Sequence, residues 1–149
     1  MGNFKLTSSA FSDGGEIPRE CGYKNGNKVP PLTISGIPDG TKSLALVMDD
    51  PDAMGAVGKV WVHWVVWNII PNQDTDIINN IAENVGMTDF GEVGYGGPAP
   101  PDKRHTYVFK LYALDSELDL PDKSTKADVE KAMEGHIVDQ TTLEGTYAP

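Results

Sequence analysis

Cysteine is nearly absent from this sequence, since Cys21 is the only one. A single thiol excludes an intramolecular disulfide framework. Long apolar runs are missing as well, because none reaches the ~20 residues that a membrane helix needs. The opening residues MGNFKLTSSAF also lack the apolar core of a signal peptide. These absences predict a cytoplasmic protein without integral membrane association.

Basic residues are also few. The chain has 12 Lys and Arg against 22 Asp and Glu, which gives a formal net charge of -10. Proteins that bind nucleic acid need clustered basic side chains to neutralise the phosphate backbone. An anionic membrane surface likewise attracts basic segments. The charge balance therefore argues against both as partners.

What the sequence does contain predicts a β-rich fold. Its 149 residues fit a single domain over positions 1–149. Ser43–Asp50, Val60–Ile69 and His105–Leu114 are rich in apolar, β-branched and aromatic residues, which is typical of buried strands. Only Thr125–Glu134 predicts a convincing helix, and Thr125 with Asp128 fits a capping box. Short strands with one late helix favour a mostly antiparallel two-layer β protein.

The other segments carry weaker signals. We expect an edge strand within Phe4–Phe11, a flexible loop over Ala53–Lys59 and mostly loop over Pro71–Phe90. Gly91–Pro101 is too dense in Gly and Pro for a helix or a central strand. The last segment, Ile137–Tyr147, is expected to return to a sheet edge.

Carboxylates and histidines recur where the strong strands end or cross. Asp50 ends one strand, Asp52 follows two residues later, His63 lies within the next strand, and His105 and Tyr107 share a face of the third. If these strands are neighbours, their polar side chains converge at one edge of the sheet. The Gly-rich loop 94–98 would lie beside them and could offer backbone N–H groups as an anion-binding nest.

Structural interpretations compete with this hypothesis. Asp50-Pro51-Asp52 could be only a strand-ending turn, and a buried His63 could be satisfied by backbone groups. Two chemical interpretations also stay open. One is an anion pocket in which Asp50 orients a His. The other is a metal site made by two His and a carboxylate, which would favour a metal-dependent hydrolase.

Two longer motifs show a family resemblance. The segments LVMDDPDA at Leu46–Ala53 and WVHWVVWN at Trp61–Asn68 form the first, and GYGGPAPPDKRHTYVFKLYAL at Gly94–Leu114 forms the second. In this order they resemble the phosphatidylethanolamine-binding protein (PEBP) family, in its bacterial and archaeal Raf-kinase-inhibitor-like branch. Pro30-Pro31-Leu32 and the closing Gly145-Thr146-Tyr147 fit the same family, so that the resemblance covers nearly the whole chain.

The resemblance implies a two-layer antiparallel β-sandwich with Greek-key topology and a C-terminal helix. It also implies a small pocket for phosphate-like or carboxylate groups, without an obligatory metal or other cofactor. Carried over by motif position, the ligand-binding residues are Asp50, Asp52, Trp61, His63, Gly97, Pro98, His105 and Tyr107. Family members are described as lipid-headgroup binders and as inhibitors of kinases or proteases.

Three positions depart from the family pattern. Met54 stands where Pro is common, and Ala99 stands where prokaryotic relatives often carry Cys. Thr106 replaces the usual Arg between His105 and Tyr107. Strand alternation turns Thr106 away from its two neighbours, so the change affects a supporting ion pair more than the pocket.

We therefore expect a binding module for a small anionic ligand rather than an enzyme. The alternatives are a metal-dependent hydrolase and a protein inhibitor of a kinase or protease, which would have a protein partner. Exposed edge strands would allow a homodimer. We also expect Asp50 to raise the pKa of His63, with its charge outweighing burial among Trp61, Trp64 and Val65. Anion affinity would then be highest at acidic pH.

Overall fold

A computed structural model describes residues 3–71 and 84–149 of the chain. The described elements are β1 (Lys5–Thr7), β2 (Gly15–Glu16), β3 (Thr33–Ser35), β4 (Ser43–Asp50), α1 (Ala53–Val57), β5 (Trp61–Ile69), β6 (His105–Leu114), α2 (Lys126–Met133) and β7 (Ile137–Tyr147). A single 3₁₀ turn, Arg19–Cys21, follows β2. The prediction of mostly β structure is confirmed.

The strands form two sheets. One has five strands in the order β2-β7-β6-β4-β5, and the other pairs β1 with β3. All pairings are antiparallel except the short parallel contact of β2 with β7. This order makes β4 a central strand, with β5 on one side and β6 on the other. All eight residues of β4 are buried, as its continuous apolar run predicts.

Two apolar clusters cover the faces of the large sheet. The larger one joins it to the small sheet, so that Leu6 and Ile34 share a core with Leu46 and Phe109. The smaller one lies under α2, where Val129 and other apolar residues pack on the opposite face. This second face also holds the buried carboxylate Asp49, which accepts hydrogen bonds from Lys126 at 2.8 Å and Lys110 at 3.1 Å. The ion pair with Lys126 fixes α2 to the sheet.

The predicted helix is confirmed, and its capping box at Thr125 and Asp128 is present. Several boundaries were predicted wrongly. The expected edge strand in Phe4–Phe11 is limited to β1. The segment expected as a flexible loop after Asp52 begins with α1, which ends at the left-handed Gly58.

The last two predicted segments can be compared only in part. The final strand β7 pairs with β6 from Ile137 to Tyr147, and its one extra residue lies at the irregularity between Ala113 and Leu114 of β6. Of the segment Pro71–Phe90, predicted as mostly loop, residues 72–83 lie outside the described residues. In the described part from residue 84 to 90, the only strand-like pairings are isolated bridges at Val85 and Met87.

Candidate functional site

Strands β4, β5 and β6 bring three titratable side chains to one end of the large sheet. Asp50 is the last residue of β4, His63 lies near the start of β5, and His105 begins β6. Because β4 pairs antiparallel with both neighbours, its final residue lies close to the first residues of β5 and β6. The cavity there has a volume of about 220 Å³. It is lined by Asp50, Ala53, Ala56, Val57, Trp61, His63, Phe90, Ala99, Pro101 and His105.

A β-bulge directs His63 toward this cavity. Met48 of β4 is opposite Trp64, yet the next residue, Asp49, is opposite Val62, so His63 is the extra residue of β5. A bulge of this kind bends a strand and re-aims its side chain. Strict alternation predicts His63 on the face of Val65 and Trp67, and that prediction is wrong. The imidazole packs edge-on against Tyr107, with 5.1 Å between ring centroids, on the side of the larger core.

The protonation of His63 follows from its hydrogen bonds and burial. Its Nδ1 lies 2.7 Å from the carbonyl oxygen of Gly96, which can only accept, so Nδ1 carries the proton. Burial lowers the pKa of His63, and it outweighs the opposing effects of Gly96 and the Asp50 charge. The expectation that the Asp50 charge would outweigh burial is therefore wrong. In the neutral ring Nε2 keeps a lone pair, and it makes no hydrogen bond within the described part of the chain.

Asp50 is paired with His105 instead. The His105 Nδ1 lies 2.6 Å from Asp50 Oδ2, and its Nε2 lies 2.7 Å from Asp102 Oδ1. A neutral imidazole has only one N–H, so two carboxylate partners favour the imidazolium. Burial alone would lower the pKa of His105, but the hydrogen bonds to Asp50 and Asp102 raise it above its ordinary value. Both ring nitrogens of His105 are thus engaged by carboxylates, which favours the protonated ring.

Several polar atoms at the site have no hydrogen-bond partner among the described residues. They are Asp50 Oδ1, Trp61 Nε1 and the Tyr107 hydroxyl, all of which are buried. Tyr107 lies beside the cavity rather than in its lining, with its ring against those of His63 and His105. Burial and the nearby Asp50 charge raise the pKa of Tyr107, so its hydroxyl keeps its proton. Leaving such groups unpaired costs about 1–3 kcal/mol each, which indicates a place for a polar ligand.

The Gly-rich loop has a different role from the predicted nest. Gly94 N–H donates to Gly86, Gly96 N–H to the His63 carbonyl, and Gly97 N–H to Asn27 Oδ1. These donors are therefore unavailable to an anion, and the nest hypothesis is wrong for them. The loop instead holds His63 through Gly96, whose N–H donates to the His63 backbone carbonyl at 2.8 Å and whose carbonyl accepts from His63 Nδ1 at 2.7 Å.

Besides Tyr107, three of the predicted ligand-binding residues lie outside the cavity lining. Asp52 is exposed, and it accepts a hydrogen bond from Thr106 N–H at 2.8 Å, which ties the start of α1 to β6. Gly97 packs against the carbonyl of Cys21. Pro98 accepts a hydrogen bond from Tyr23 N–H at 2.9 Å. Their geometry supports the walls, and direct binding by them stays a prediction.

Sequence reasoning did not place the apolar lining residues in the site, nor the carboxylate Asp102 beside it; the lining residues are Ala53, Ala56, Val57, Phe90, Ala99 and Pro101. Phe90 covers the site from the loop, with its ring 5.4 Å from that of His63, 5.6 Å from Trp61 and stacked at 4.0 Å on Tyr23. The preceding Thr88 and Asp89 gave no signal for this contact. Asp102 precedes His105 by three residues in a Pro-rich loop, and that short spacing was the only available indication of the second carboxylate.

Two other observations bear on the alternatives. Among residues 3–71 and 84–149, no three His, Cys, Asp or Glu side chains are grouped as metal ligands. A larger cavity, of about 530 Å³, lies between β1 and β7, but its only charged lining residues are Lys5 and Asp13. The smaller cavity with its histidines is therefore the better candidate. No helix in the described ranges is long and apolar enough to cross a membrane.

Comparisons with known proteins agree on one family. Residues 7–148 match the family model described as phosphatidylethanolamine-binding protein. A protein of Methanothermobacter thermautotrophicus named UPF0098 protein is 43% identical, with 95% of this chain and 97% of that protein covered. A UPF0098 protein of Chlamydia muridarum is 42% identical, with 96% and 97% covered.

Solved structures give the same result for the fold. The crystal structure of CT736 from Chlamydia trachomatis, described as a homologue of phosphatidylethanolamine-binding protein, superposes with a TM-score of 0.88 at 37% identity. That match covers 99% of this chain and 98% of the other. YbcL of E. coli, described as a member of the mammalian PEBP family, gives a TM-score of 0.86 at 30% identity, with 98% of each chain covered.

Proposed function

Because this chain belongs to the phosphatidylethanolamine-binding protein family, we propose that its cavity binds a small oxyanion of the phosphate or carboxylate type. The observation that carries the proposal is the set of buried, unpartnered polar atoms at an otherwise apolar cavity. Sites for small ligands commonly combine apolar walls with a few such groups. The volume of about 220 Å³ limits the enclosed part of the ligand to one small group.

The site offers an anion hydrogen-bond donors. The positive charge of a protonated His105 is offset by its two carboxylate partners, Asp50 and Asp102, and its N–H groups are engaged. Trp61 Nε1 and the Tyr107 hydroxyl can each donate a hydrogen bond. Low local polarity strengthens these contacts relative to the same contacts in water. The proposed binding therefore relies on a few well-placed groups rather than on the net charge of the chain.

The wider roles considered for the family stay proposals for this chain. Binding of a phospholipid headgroup would use the same chemistry as binding of free phosphate. A regulatory role through a protein partner, an inhibitor role toward a kinase or protease, and a homodimer are predictions without a supporting contact in the described residues. The hydrolase alternative likewise gains no support from the arrangement of its proposed ligands.

Titration calorimetry with inorganic phosphate at neutral pH tests the proposal. We expect saturable binding. His63→Ala should weaken it at least several-fold, because it removes the Nε2 that can accept a hydrogen bond from the proton that phosphate keeps at neutral pH, while circular dichroism shows an unchanged fold. His136→Ala is the matched control, because His136 is half-exposed, pairs only with Asp115 at 2.8 Å and does not line the cavity. Absence of binding by the unaltered protein, or equal binding by both variants, would contradict the proposal.

A further inference from the structure

A second cleft lies beside the cavity and differs from it in chemistry. This space, the proline cleft, has a volume of about 290 Å³ and is formed by Arg19, Lys24, the proline-rich run Pro98–Pro101 and the end of β7. Ala99 and Pro101 line both spaces, so the cleft and the cavity share this part of the chain. The cleft combines two cations with apolar proline rings, whereas the cavity holds histidines and a buried carboxylate.

Arg19 is held in place at the proline cleft. Its guanidinium lies over the Tyr147 ring, 4.3 Å from the ring centroid, and one N–H group donates to the Ala148 carbonyl at 2.7 Å. The Tyr147 hydroxyl is fixed in turn, because it donates to the Arg19 carbonyl and accepts from Asn25, both at 2.7 Å. A guanidinium has five N–H donors in a planar fork that matches a carboxylate. The donors that Ala148 does not use are therefore positioned for a ligand.

The positive charge of the cleft is not compensated within the described residues. Lys24 is exposed and makes no ion pair there, and no acidic residue lines the cleft. The two acids nearest in sequence are engaged elsewhere, since Glu16 pairs with Arg104 and Glu20 with Lys28, each at 3.5 Å. A local excess of positive charge in a chain of net charge -10 indicates a place for an anion.

The prolines of the cleft present apolar rings and carry no N–H groups. The Pro98 carbonyl is already engaged, because it accepts from Tyr23 N–H at 2.9 Å. Pro149 lines the cleft as well, and its carboxylate makes no ion pair with Arg19 or Lys24. A ligand that fills the cleft thus meets donors at the cations and apolar surface at the prolines.

We propose that the proline cleft is a second ligand site, which binds a single carboxylate carried on an apolar body, such as an arylacetic acid. One carboxylate matches the planar fork of Arg19, and Lys24 adds a second positive charge. A more highly charged anion would be repelled more strongly by the net charge of the chain. The apolar body adds binding because it covers the proline rings. The site is separate from the oxyanion cavity and does not rest on the proposed function.

Three ligands separate the two features of this site. Phenylacetate carries both the charge and the ring, phenylacetamide has nearly the same shape without the charge, and acetate has the charge without the ring. Proton–nitrogen NMR titrations at neutral pH and equal ionic strength measure where each binds and how tightly. Phenylacetate should shift the backbone amide signals of Lys24 and Asn25 saturably. It should bind at least about tenfold more tightly than phenylacetamide and at least several-fold more tightly than acetate.

Several results would overturn the inference. They are an absence of saturable shifts with phenylacetate, equal affinity for phenylacetamide, which removes the role of the charge, and equal affinity for acetate, which removes that of the apolar body. Shifts confined to the Trp61 indole would place phenylacetate in the cavity and would also contradict a second site. None of these results depends on phosphate, so the proposed function stands or fails by its own test.

Two variants test the cations themselves. Lys24→Gln leaves the fold undisturbed, because Lys24 is exposed and its side chain makes no ion pair among the described residues. It should weaken phenylacetate binding at least several-fold and leave phosphate binding at Trp61 unchanged. Arg19→Gln should weaken phenylacetate binding at least about tenfold, since a charge-assisted contact is lost, and its NMR spectrum shows whether the end of β7 keeps its place.

Lys42→Gln is the matched control. Lys42 is exposed and lies outside the cleft lining, so this variant has the same change of net charge and should keep the affinity for phenylacetate. Unchanged affinity in folded Lys24→Gln or folded Arg19→Gln would overturn the inference. An equal loss in Lys42→Gln would also overturn it, because the effect would then come from net charge rather than from the cleft.

Discussion

Replacing His105 by Leu should cost about 3–5 kcal/mol of unfolding free energy at neutral pH, because a buried ion pair that loses one partner leaves the other charge uncompensated. Asp50 is 3% exposed and has His105 at 2.6 Å, so little water can take the place of the imidazolium. Asp102 is about half-exposed and would be resolvated, and it should add little. Urea unfolding followed by circular dichroism measures the loss.

The double variant Asp50→Leu/His105→Leu separates charge from packing. Removing both charges replaces the pair by apolar groups, which is often neutral or stabilising. It should therefore be at least about 1 kcal/mol more stable than His105→Leu alone. His136→Leu is the control, because the His136–Asp115 pair has a similar 2.8 Å distance but is half-exposed, and its loss should cost less than about 1 kcal/mol. A double variant no more stable than the single one would refute the reasoning.

Three further outcomes are expected. In an NMR titration of the imidazole signals, His105 should remain protonated to a higher pH than a free histidine, whereas His63 should remain neutral to a lower pH; the reverse order would contradict the hydrogen-bond assignment. The stability that His105 contributes should be complete below about pH 6.5 and be lost as pH rises through its raised pKa. The stability that the neutral His63 contributes should be complete above about pH 6.5 and be lost as pH falls. Urea unfolding of each single variant across pH measures both trends. Gly97→Ala should destabilise the fold by about 1–3 kcal/mol, since its new Cβ would clash with the Cys21 carbonyl, and an unchanged urea midpoint would contradict that packing.

Much of the fold was accessible from the sequence because its signals are local. The apolar runs of β4 and β5 and the alternating pattern of β6 follow directly from burial and from the period of a strand. The same alternation placed His105 and Tyr107 together correctly. The family motifs added the order of these segments, and the comparisons confirmed it.

The predictions that were wrong concern features that depend on contacts between distant segments of the chain. A bulge at His63 changes the pairing of β5 with β4, and no residue pattern within β5 announces it. The Gly-rich loop was expected to offer its N–H groups to an anion, but partners such as Asn27 that take them up are far away in sequence. The pKa of His63 was misjudged because its own strand does not show that Asp50 pairs with His105 instead.

The central claim is that a phosphate-type oxyanion binds in the cavity at Trp61, and the indole signals of a proton–nitrogen NMR spectrum test it most directly. The sequence has three Trp, and all three are described, but only Trp61 lines the cavity. Titration with inorganic phosphate should shift the Trp61 Nε1–H signal saturably, as its unpartnered donor gains a hydrogen bond. Trp64 and Trp67 are buried in the two cores and should not move. A Trp61 signal that stays unchanged at saturating phosphate would contradict the account.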